Sequence, residues 1–301
     1  MKVLVTGGAG FIGKHLVHSL LKKGNLVTIF DTFSNSEKSS ASSLVDMGAK
    51  IVEGNITKLQ DITNATKDHD VVIHLAAKIS VEDSIRNPSE TFRINVDGTR
   101  NVLVACEKNH VRKLVVASSA AVYGEGLPGI KLTENAKLNP ISPYGESKAV
   151  MEQEIKEFVS KHSINCIILR FFNVYGVGQT PEYAGVITKF IKRIEEDKPL
   201  EIFGDGMQTR DFVAVQDVVD SIYDAILNGK SGIYNIASGK AVTIKELAEL
   251  MNSLSGKNLK IQHVAPKEGD IKYSQADITL AKKELQYAPK FGLEEIKNLL
   301  E

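Results

Sequence analysis

The chain has 301 residues, of which 43% are hydrophobic, enough to bury one large core or two smaller ones. Lys and Arg together number 37, and so do Asp and Glu. No net charge therefore draws the protein to nucleic acid or to an anionic membrane, and we expect a small-molecule partner instead.

The first predicted elements are a buried strand, Lys2 to Thr6, and a helix that begins at Phe11, with the glycine-rich stretch TGGAGFIG between them. Such a turn directs backbone N–H groups and the positive end of a helix dipole at one point. Glycines leave room there for a phosphate. The same glycines could also serve an ordinary tight turn.

A second predicted strand, Leu26 to Phe30, ends in Asp31, close to the ~20-residue offset at which a carboxylate meets the adenosine ribose. An acid at this position repels a 2′-phosphate, so the pattern favours NAD over NADP. The alternative is an aspartate that caps a turn or a helix. The polar stretch Phe33 to Ser43 is predicted to be a loop beside the cofactor.

Further strands and helices alternate through the first half of the chain. They are strand Ile51 to Glu53, helix Leu59 to Thr66, strand Val71 to Leu75, helix Glu90 to Asn109, strand Lys113 to Ala117, helix Pro143 to His162 and strand Asn165 to Arg170. Repeated β–α units with short apolar strands predict an α/β fold with a doubly wound parallel (Rossmann) sheet. Cys106 and Cys166 lie in apolar stretches without metal-type spacing, so we expect buried free thiols and no metal.

Beyond Asn173 the predicted elements are shorter. They are helix Gly185 to Glu196, strand Leu200 to Phe203, helix Val215 to Leu227, strand Gly232 to Ala237, helix Ile244 to Leu254, strand Lys260 to Val264 and helices from Thr279 and Leu293. We predict an NAD-binding domain over residues 1–172 and a smaller α/β substrate domain over 173–301, with a soft boundary that lets segments return to the first domain. The chain begins with a strand, and no apolar run approaches the ~20 residues of a membrane span, so we expect cytoplasmic localisation.

Three polar residues in the first half could handle protons. Ser119 follows the strand from Lys113, and the carboxyl ends of parallel strands face the ligand crevice. Tyr144 and Lys148 are four residues apart, which on a helix places phenol and ammonium on one face. A nearby cation favours phenolate, so we expect a lowered pKa for Tyr144 and a role as a base. A Y-x-x-x-K pair also arises by chance on helix surfaces.

Six motifs (TGGAGFIG, DTFSNS, HLAA, SSAAVYG, YGESK and RFFNVYG) together resemble the extended short-chain dehydrogenase/reductase family and, within it, the UDP-glucose 4-epimerases. The resemblance extends to GDGMQTRDFV and KEGDIKYSQAD in the second half. It implies that Tyr144 is the base and acid on the sugar 4-hydroxyl, that Ser119 holds this hydroxyl, and that Lys148 grips the nicotinamide ribose. It also implies a tightly held NAD, a UDP-hexose substrate inverted at C4 through a 4-keto sugar, and a homodimer formed through the helices around Asn95 and Tyr144.

The resemblance also assigns cofactor and substrate positions. Those implied for NAD are Gly7, Gly10, Phe11, Ile12, Gly13, Asp31, Asn35, Asn55, Ile56, Leu75, Ala76, Ala77, Asn95, Tyr144, Lys148 and Phe172. Those implied for the substrate are Ser119, Asn173, Arg210, Lys267, Asp270 and Ser274.

Three of these positions depart from the family pattern. Asn55 replaces an acid, and we expect its side chain to accept a hydrogen bond from the adenine amine. Lys267 with Glu268 replaces an arginine segment at the diphosphate. Ser274 replaces a bulky tyrosine beside the hexose C2 substituent, which leaves space for an acetamido group; Tyr273 could instead rotate into that gap.

Other functions remain open at this stage. An NAD-dependent sugar-nucleotide dehydratase or decarboxylase would, by the same resemblance, carry an acid where this chain has Ala120 and Ala121. A non-catalytic NAD-binding protein would not need Ser119, Tyr144 and Lys148 together. Arg210 could pair with Asp211 or another acid, and Phe172 could be a core residue.

Overall fold

The computed structural model describes residues 1–36, 38–179, 185–267 and 269–300. Its strands are β1 (Lys2–Thr6), β2 (Leu26–Asp31), β3 (Lys50–Glu53), β4 (Val71–His74), β5 (Lys113–Ser119), β6 (Asn165–Phe171), β7 (Asn173–Tyr175), β8 (Leu200–Phe203), β9 (Thr209–Ala214), β10 (Gly232–Ile236), β11 (Ala241–Thr243) and β12 (Ile261–Val264).

The helices cover most of the remaining chain. They are α1 (Phe11–Lys22), α2 (Ser42–Asp46), α3 (Leu59–Ala65), α4 (Val81–Arg86), α5 (Pro88–Phe92), α6 (Gly98–Lys108), α7 (Pro143–Val159), α8 (Val186–Glu195), α9 (Val215–Asn228), α10 (Ile244–Ser255) and α11 (Thr279–Leu285). A π-helical turn, Arg93–Asp97, joins α5 to α6, and short 3₁₀ segments cover Lys38–Ala41, Ala120–Val122 and Leu293–Leu299.

A seven-stranded sheet forms the centre of the molecule, in the order β10–β6–β5–β4–β1–β2–β3. All of its neighbouring strands are parallel. The predicted α/β fold with a doubly wound parallel sheet is thereby confirmed. The strand order reverses between β1 and β4, and the crevice beyond the carboxyl ends of the strands at such a reversal is where open α/β sheets bind ligands.

Apolar side chains on both faces explain why this sheet is covered on both sides. Val3 and Val5 of β1 face a core that includes α1 and α9. Leu4 faces the opposite core, which includes α3, α6 and α7. Successive side chains of a strand point to opposite faces, so a continuous apolar run needs a helical layer on each side.

A smaller α/β region is built from the second half of the chain. It contains the three-stranded sheet β11–β9–β7 and the pair β12–β8, and it has its own core around Phe190, Leu200 and Met251. Strand β10 returns to the edge of the large sheet beside β6.

The structure corrects three local predictions. The helix expected from Glu90 to Asn109 is interrupted by the π turn. Within the stretch expected to be a loop from Phe33 to Ser43, a 3₁₀ turn forms at Lys38–Ala41 and α2 begins at Ser42. Helix α4 was not predicted; it is only six residues long, too short for apolar periodicity to identify.

Candidate active site

The glycine-rich turn lies between β1 and α1, where the sequence places it. Gly7 has a φ of +69°, and a Cβ atom at this position would lie 2.7 Å from the backbone nitrogen of Ala76. A Cβ on Gly13 would lie 2.3 Å from the carbonyl oxygen of Gly7. Both positions therefore require glycine, because the turn is folded tightly onto itself and onto the chain after β4.

Asp31 fixes this turn at the end of β2. One carboxylate oxygen accepts a hydrogen bond from the Ala9 backbone N–H at 3.0 Å, and the other accepts from the Phe33 N–H at 2.9 Å. Each oxygen keeps further lone-pair capacity for a ribose hydroxyl. Asp31 therefore caps a turn, as the alternative interpretation of the sequence has it, and it also lines the cleft.

A cleft of about 660 Å³ runs from the glycine turn to the carboxyl end of β5. Its lining includes these residues with a predicted role: Gly7, Gly10, Phe11, Ile12, Gly13, Asp31, Asn35, Asn55, Ile56, Leu75, Ala76, Ala77, Ser119, Tyr144, Lys148 and Phe172. The lining also includes Lys14, Lys78 and Arg93, which the sequence reasoning did not select. In the sequence, Lys14 directly follows the motif TGGAGFIG and Lys78 directly follows HLAA, whereas no such signal marks Arg93.

The Asn55 side chain lines the cleft and is oriented by Thr57. Its Oδ1 atom accepts hydrogen bonds from the backbone N–H and the hydroxyl of Thr57, each at 2.9 Å. Because a backbone N–H can only donate, this contact identifies the atom as the oxygen. The acceptance of a hydrogen bond from the adenine amine stays a prediction.

Asn95 lies in the π turn, outside the set of cleft-lining residues. Its Oδ1 accepts from the Lys78 N–H at 2.8 Å, and its Nδ2 donates to the Lys78 carbonyl at 3.0 Å and to the Ser147 hydroxyl at 2.9 Å. It therefore joins the chain after β4 to α7. This is a positioning arrangement behind the cleft.

His74, at the end of β4, has both ring nitrogens engaged. The Thr6 hydroxyl accepts from the Ala76 N–H at 3.3 Å and donates to His74 Nδ1 at 2.7 Å. It is the donor because the neutral ring carries its proton on Nε2. Thr99 donates to the Asn95 carbonyl at 2.6 Å and so accepts from His74 Nε2 at 3.0 Å. Burial and, to a smaller extent, the charge of Lys148 lower the pKa of His74 to about 3.

The three predicted catalytic residues lie together where α7 begins. This helix begins at Pro143 because the Ser142 side chain caps it, accepting from the Gly145 N–H at 3.1 Å. Tyr144 lies close to Ser119 at the end of β5, and both line the cleft. One helical turn later, the Lys148 ammonium donates to the Ala117 carbonyl at 2.8 Å.

Electrostatics around this group differ from the expectation. Burial raises the pKa of the Tyr144 phenol, and the hydrogen bond with Ser119 opposes this rise. Burial also lowers the pKa of Lys148 to about 8, against the charge of Glu152. The predicted lowering of the Tyr144 pKa is wrong in this structure, because desolvation disfavours the phenolate and weakens the cation that was expected to stabilise it.

Four of the predicted substrate residues are neighbours in the smaller region. Asn173 begins β7 and donates to the Asp211 carbonyl at 3.1 Å, which places it beside Arg210 on β9. Arg210 pairs with Asp270 at 2.6 Å, and Lys267 pairs with Glu82 of α4 at 3.4 Å. The partner of Arg210 is thus another predicted substrate residue. Glu268 lies outside the described residues.

Ser274 lies on a segment that is fixed to the chain after β5. The Glu125 carboxylate accepts from the backbone N–H groups of Lys272 and Tyr273, at 2.9 to 3.0 Å. The Gly126 N–H donates to the Tyr273 carbonyl at 3.0 Å. Ser274 itself is buried. These contacts connect the predicted sugar-facing wall to the strand that carries Ser119.

Other features of the described residues complete the description of the site. No group of three or more His, Cys, Asp or Glu side chains within them could hold a metal ion. Cys106 and Cys166 are free and buried, as expected. Among the described residues, no helix is both long enough and apolar enough to cross a membrane.

Comparison with known proteins matches most of the chain. A model of the NAD dependent epimerase/dehydratase family matches residues 3–237. A putative UDP-glucose 4-epimerase from Methanocaldococcus jannaschii is 40% identical over 297 residues, 97% of this chain and 95% of the relative. The solved UDP-glucose 4-epimerase of Thermotoga maritima with UDP-glucose has a TM-score of 0.93 at 33% identity, covering 100% of this chain and 97% of that one.

Similar proteins act on more than one UDP-sugar. A UDP-glucuronic acid 4-epimerase from Bacillus cereus, solved with UDP-glucuronic acid and NAD, has a TM-score of 0.91 at 32% identity and covers 99% of this chain and 97% of that one. A UDP-N-acetylglucosamine 4-epimerase and a UDP-N-acetyl-α-D-glucosaminuronate decarboxylase are also similar along nearly the whole chain.

Proposed function

The chain belongs to the NAD dependent epimerase/dehydratase family and its cofactor is NAD, and we propose from this that it inverts C4 of a UDP-hexose. The observation that carries the proposal is that Ser119, Tyr144 and Lys148 line the same end of the cleft, where the Ala117 carbonyl holds the Lys148 ammonium. The glycine turn and Asp31 at the other end fit a dinucleotide, because they leave backbone space for a pyrophosphate and a carboxylate for a ribose.

In the proposed mechanism, the Tyr144 phenol oxygen takes the proton of the sugar 4-hydroxyl and later returns it. Ser119 hydrogen bonds to the same hydroxyl and to Tyr144. The raised pKa of Tyr144 means that it must be assisted as a base, and an ammonium on Lys148, one helical turn away, would provide that assistance by favouring the phenolate. NAD, when bound, supplies the acceptor and donor of the C4 hydride.

The smaller region is proposed to bind the nucleotide part of the substrate. Arg210, Asn173 and Lys267 would hold the diphosphate, and Asp270 would hold the uridine ribose. Arg210 suits a phosphate because its guanidinium can donate two parallel hydrogen bonds. On this proposal, residues 1–172 form the NAD domain and residues 173–301 form the substrate domain, apart from the return of β10 to the large sheet.

We propose that the substrates are UDP-glucose and UDP-galactose and also UDP-GlcNAc and UDP-GalNAc. A serine at 274 is small, and a small wall residue admits an acetamido group that a tyrosine would exclude by overlap. The wall segment is held in place by Glu125. The protein would then act in galactose metabolism as a cytoplasmic homodimer; the two unpaired buried thiols support a reducing compartment.

A dehydratase or decarboxylase is the second candidate, since a decarboxylase is among the similar proteins. The turn after Ser119 argues against it. Ala120 and Ala121 supply no side chain for the extra proton transfer, and the nearby Glu125 carboxylate is engaged by backbone N–H groups.

The test is incubation of the purified protein with each UDP-sugar without added NAD, followed by chromatographic separation of the products. UDP-glucose, UDP-galactose, their N-acetylated forms and UDP-glucuronate are compared, with Tyr144→Phe as the inactive control. We expect interconversion within the glucose/galactose and GlcNAc/GalNAc pairs without net NADH. Stoichiometric NADH, or release of water or CO₂ from the sugar, would contradict the proposal.

A further inference from the structure

Consecutive residues of β5 hold consecutive turns of α7. The Ala117 carbonyl accepts from the Lys148 ammonium at 2.8 Å, and the next residue, Ser118, donates its hydroxyl to Glu152 Oε1 at 2.6 Å. The residue after that, Ser119, lies close to Tyr144 in the first turn of the helix. A shift of α7 along the strand would break all of these contacts together.

Glu152 is at the same time half of a buried ion pair. Arg170 of β6 donates to Glu152 Oε1 at 2.9 Å and to Oε2 at 2.6 Å. Both side chains are 1% exposed. The remaining Nη1 group of Arg170 donates to the Tyr123 hydroxyl at 2.8 Å. The carboxylate therefore has three fixed donors, and such a bidentate, charge-assisted pair is geometrically specific.

A buried ion pair is poor evidence of a stabilising role, because a well-packed apolar pair is often at least as stable. The position of the Glu152–Arg170 pair, one helical turn from Lys148, gives it another role. Glu152 lies one helical turn beyond Lys148. Lys148 is 4% exposed, and its ammonium has only a neutral carbonyl as its oxygen acceptor in the described part of the chain.

Charged and titratable groups approach Lys148 from each neighbouring element. Tyr144 and Glu152 share its helix, His74 faces it from β4, and Arg170 lies on β6. His74 is neutral, since its pKa is lowered to about 3. The charge of Glu152 opposes the burial that lowers the pKa of Lys148 to about 8.

We propose that Ser118, Glu152 and Arg170 form a buried clamp that positions the proton-transfer group: it fixes α7 on β5 and supplies the negative charge that keeps Lys148 an ammonium. These are positioning residues, since they act through Lys148 and Tyr144. The inference rests on the proposed function for its effect on turnover, whereas its effect on Lys148 can be observed without any substrate.

The experiment compares Glu152→Gln with Glu154→Gln in the NAD-loaded protein. Glu154 is a matched control on the same helix, because it also pairs with an arginine, Arg100, but the side chains of the pair are 31% and 49% exposed. The first readout is the titration of Lys148 by NMR of protein with isotopically labelled lysine, in which the Lys148 signal is the one missing from Lys148→Met. The second readout is the alkaline limb of the pH profile of turnover.

Glu152→Gln leaves Arg170 buried without a counter-charge, which can cost enough to unfold the protein. The double variant Glu152→Gln/Arg170→Met removes both charges and keeps the buried volume close to the native one. Because the counter-ion leaves together with Glu152, this variant shows how Lys148 responds to loss of the whole ion pair, without an uncompensated buried charge.

We expect the Lys148 titration midpoint to fall by about one pH unit or more in Glu152→Gln, and to fall by less in the double variant, in which the opposing charge of Arg170 is removed as well. The alkaline limb of turnover should move with it, and Glu154→Gln should leave both unchanged. Unchanged Lys148 titration in the folded variants overturns the clamp, as does an equal shift in the control. A shifted Lys148 titration in a protein that turns over no UDP-hexose would refute the proposed function and support the clamp.

Discussion

Buried His74 predicts an acid sensitivity of the fold that can be isolated. Its ring is neutral between Thr6 and Thr99, and its pKa falls from 6.5 to about 3 through burial. The unfolded chain therefore binds this proton at a higher pH than the native chain does. For a base with a depressed native pKa, the contribution to stability is complete above the unfolded pKa and is lost as the pH falls below it.

The magnitude follows from the two pKa values. Between about pH 8 and about pH 5, an unfolded imidazole of pKa 6.5 gains its proton while the native ring stays neutral, which lowers the free energy of unfolding by about 2 kcal/mol. Asp211 acts in the opposite direction over part of this range, because burial raises the pKa of its carboxyl to about 6. The total pH dependence therefore does not isolate the histidine.

Comparison with His74→Gln isolates it, since a carboxamide keeps one donor and one acceptor but does not titrate here. Urea unfolding of both proteins gives the difference in free energy of unfolding at each pH. We expect this difference, native minus variant, to be about 2 kcal/mol smaller at about pH 5 than at about pH 8. Exposed His18 provides the control variant His18→Gln, the same substitution at a solvent-exposed position. A difference of equal size at both pH values would refute the reasoning.

Other predictions concern the active site. Tyr144→Phe should lower turnover by ~10²-fold or more while UDP-sugar binding, measured by calorimetry, is largely kept; near-native turnover would exclude Tyr144 as the base. Gly13→Ala should lose copurified NAD, measured by absorbance after denaturation, because its Cβ would lie 2.3 Å from a backbone oxygen; retained NAD would contradict this. Arg210→Lys should raise KM for the UDP-sugar more than it lowers kcat, since the bidentate contact is lost; an unchanged KM would remove Arg210 from the diphosphate site. Ser274→Tyr should remove turnover of the N-acetylated pair, as kcat/KM, and keep that of UDP-glucose; an unchanged preference would show that position 274 does not face C2.

The sequence by itself determined the parts of this protein that depend on local pattern. Apolar runs and helical periodicity identified β1, α1, β2 and the alternation that makes a parallel sheet. Glycine spacing located the turn after β1, because a tight turn imposes its residue type through backbone sterics alone. The four-residue spacing of Tyr144 and Lys148 was sufficient to place them on one side of α7.

Only the tertiary structure decided what those residues experience. The direction of the Tyr144 pKa depends on desolvation by surrounding elements, which spacing along a helix does not reveal. Arg210 pairs with a residue 60 positions away in the chain, and Glu152 with one 18 positions away. No local sequence pattern therefore predicts either pair. The π turn at Asn95 likewise lies where the Asn95 side chain connects α7 to the segment that follows β4. These elements are far apart in sequence and meet only when the sheet is assembled.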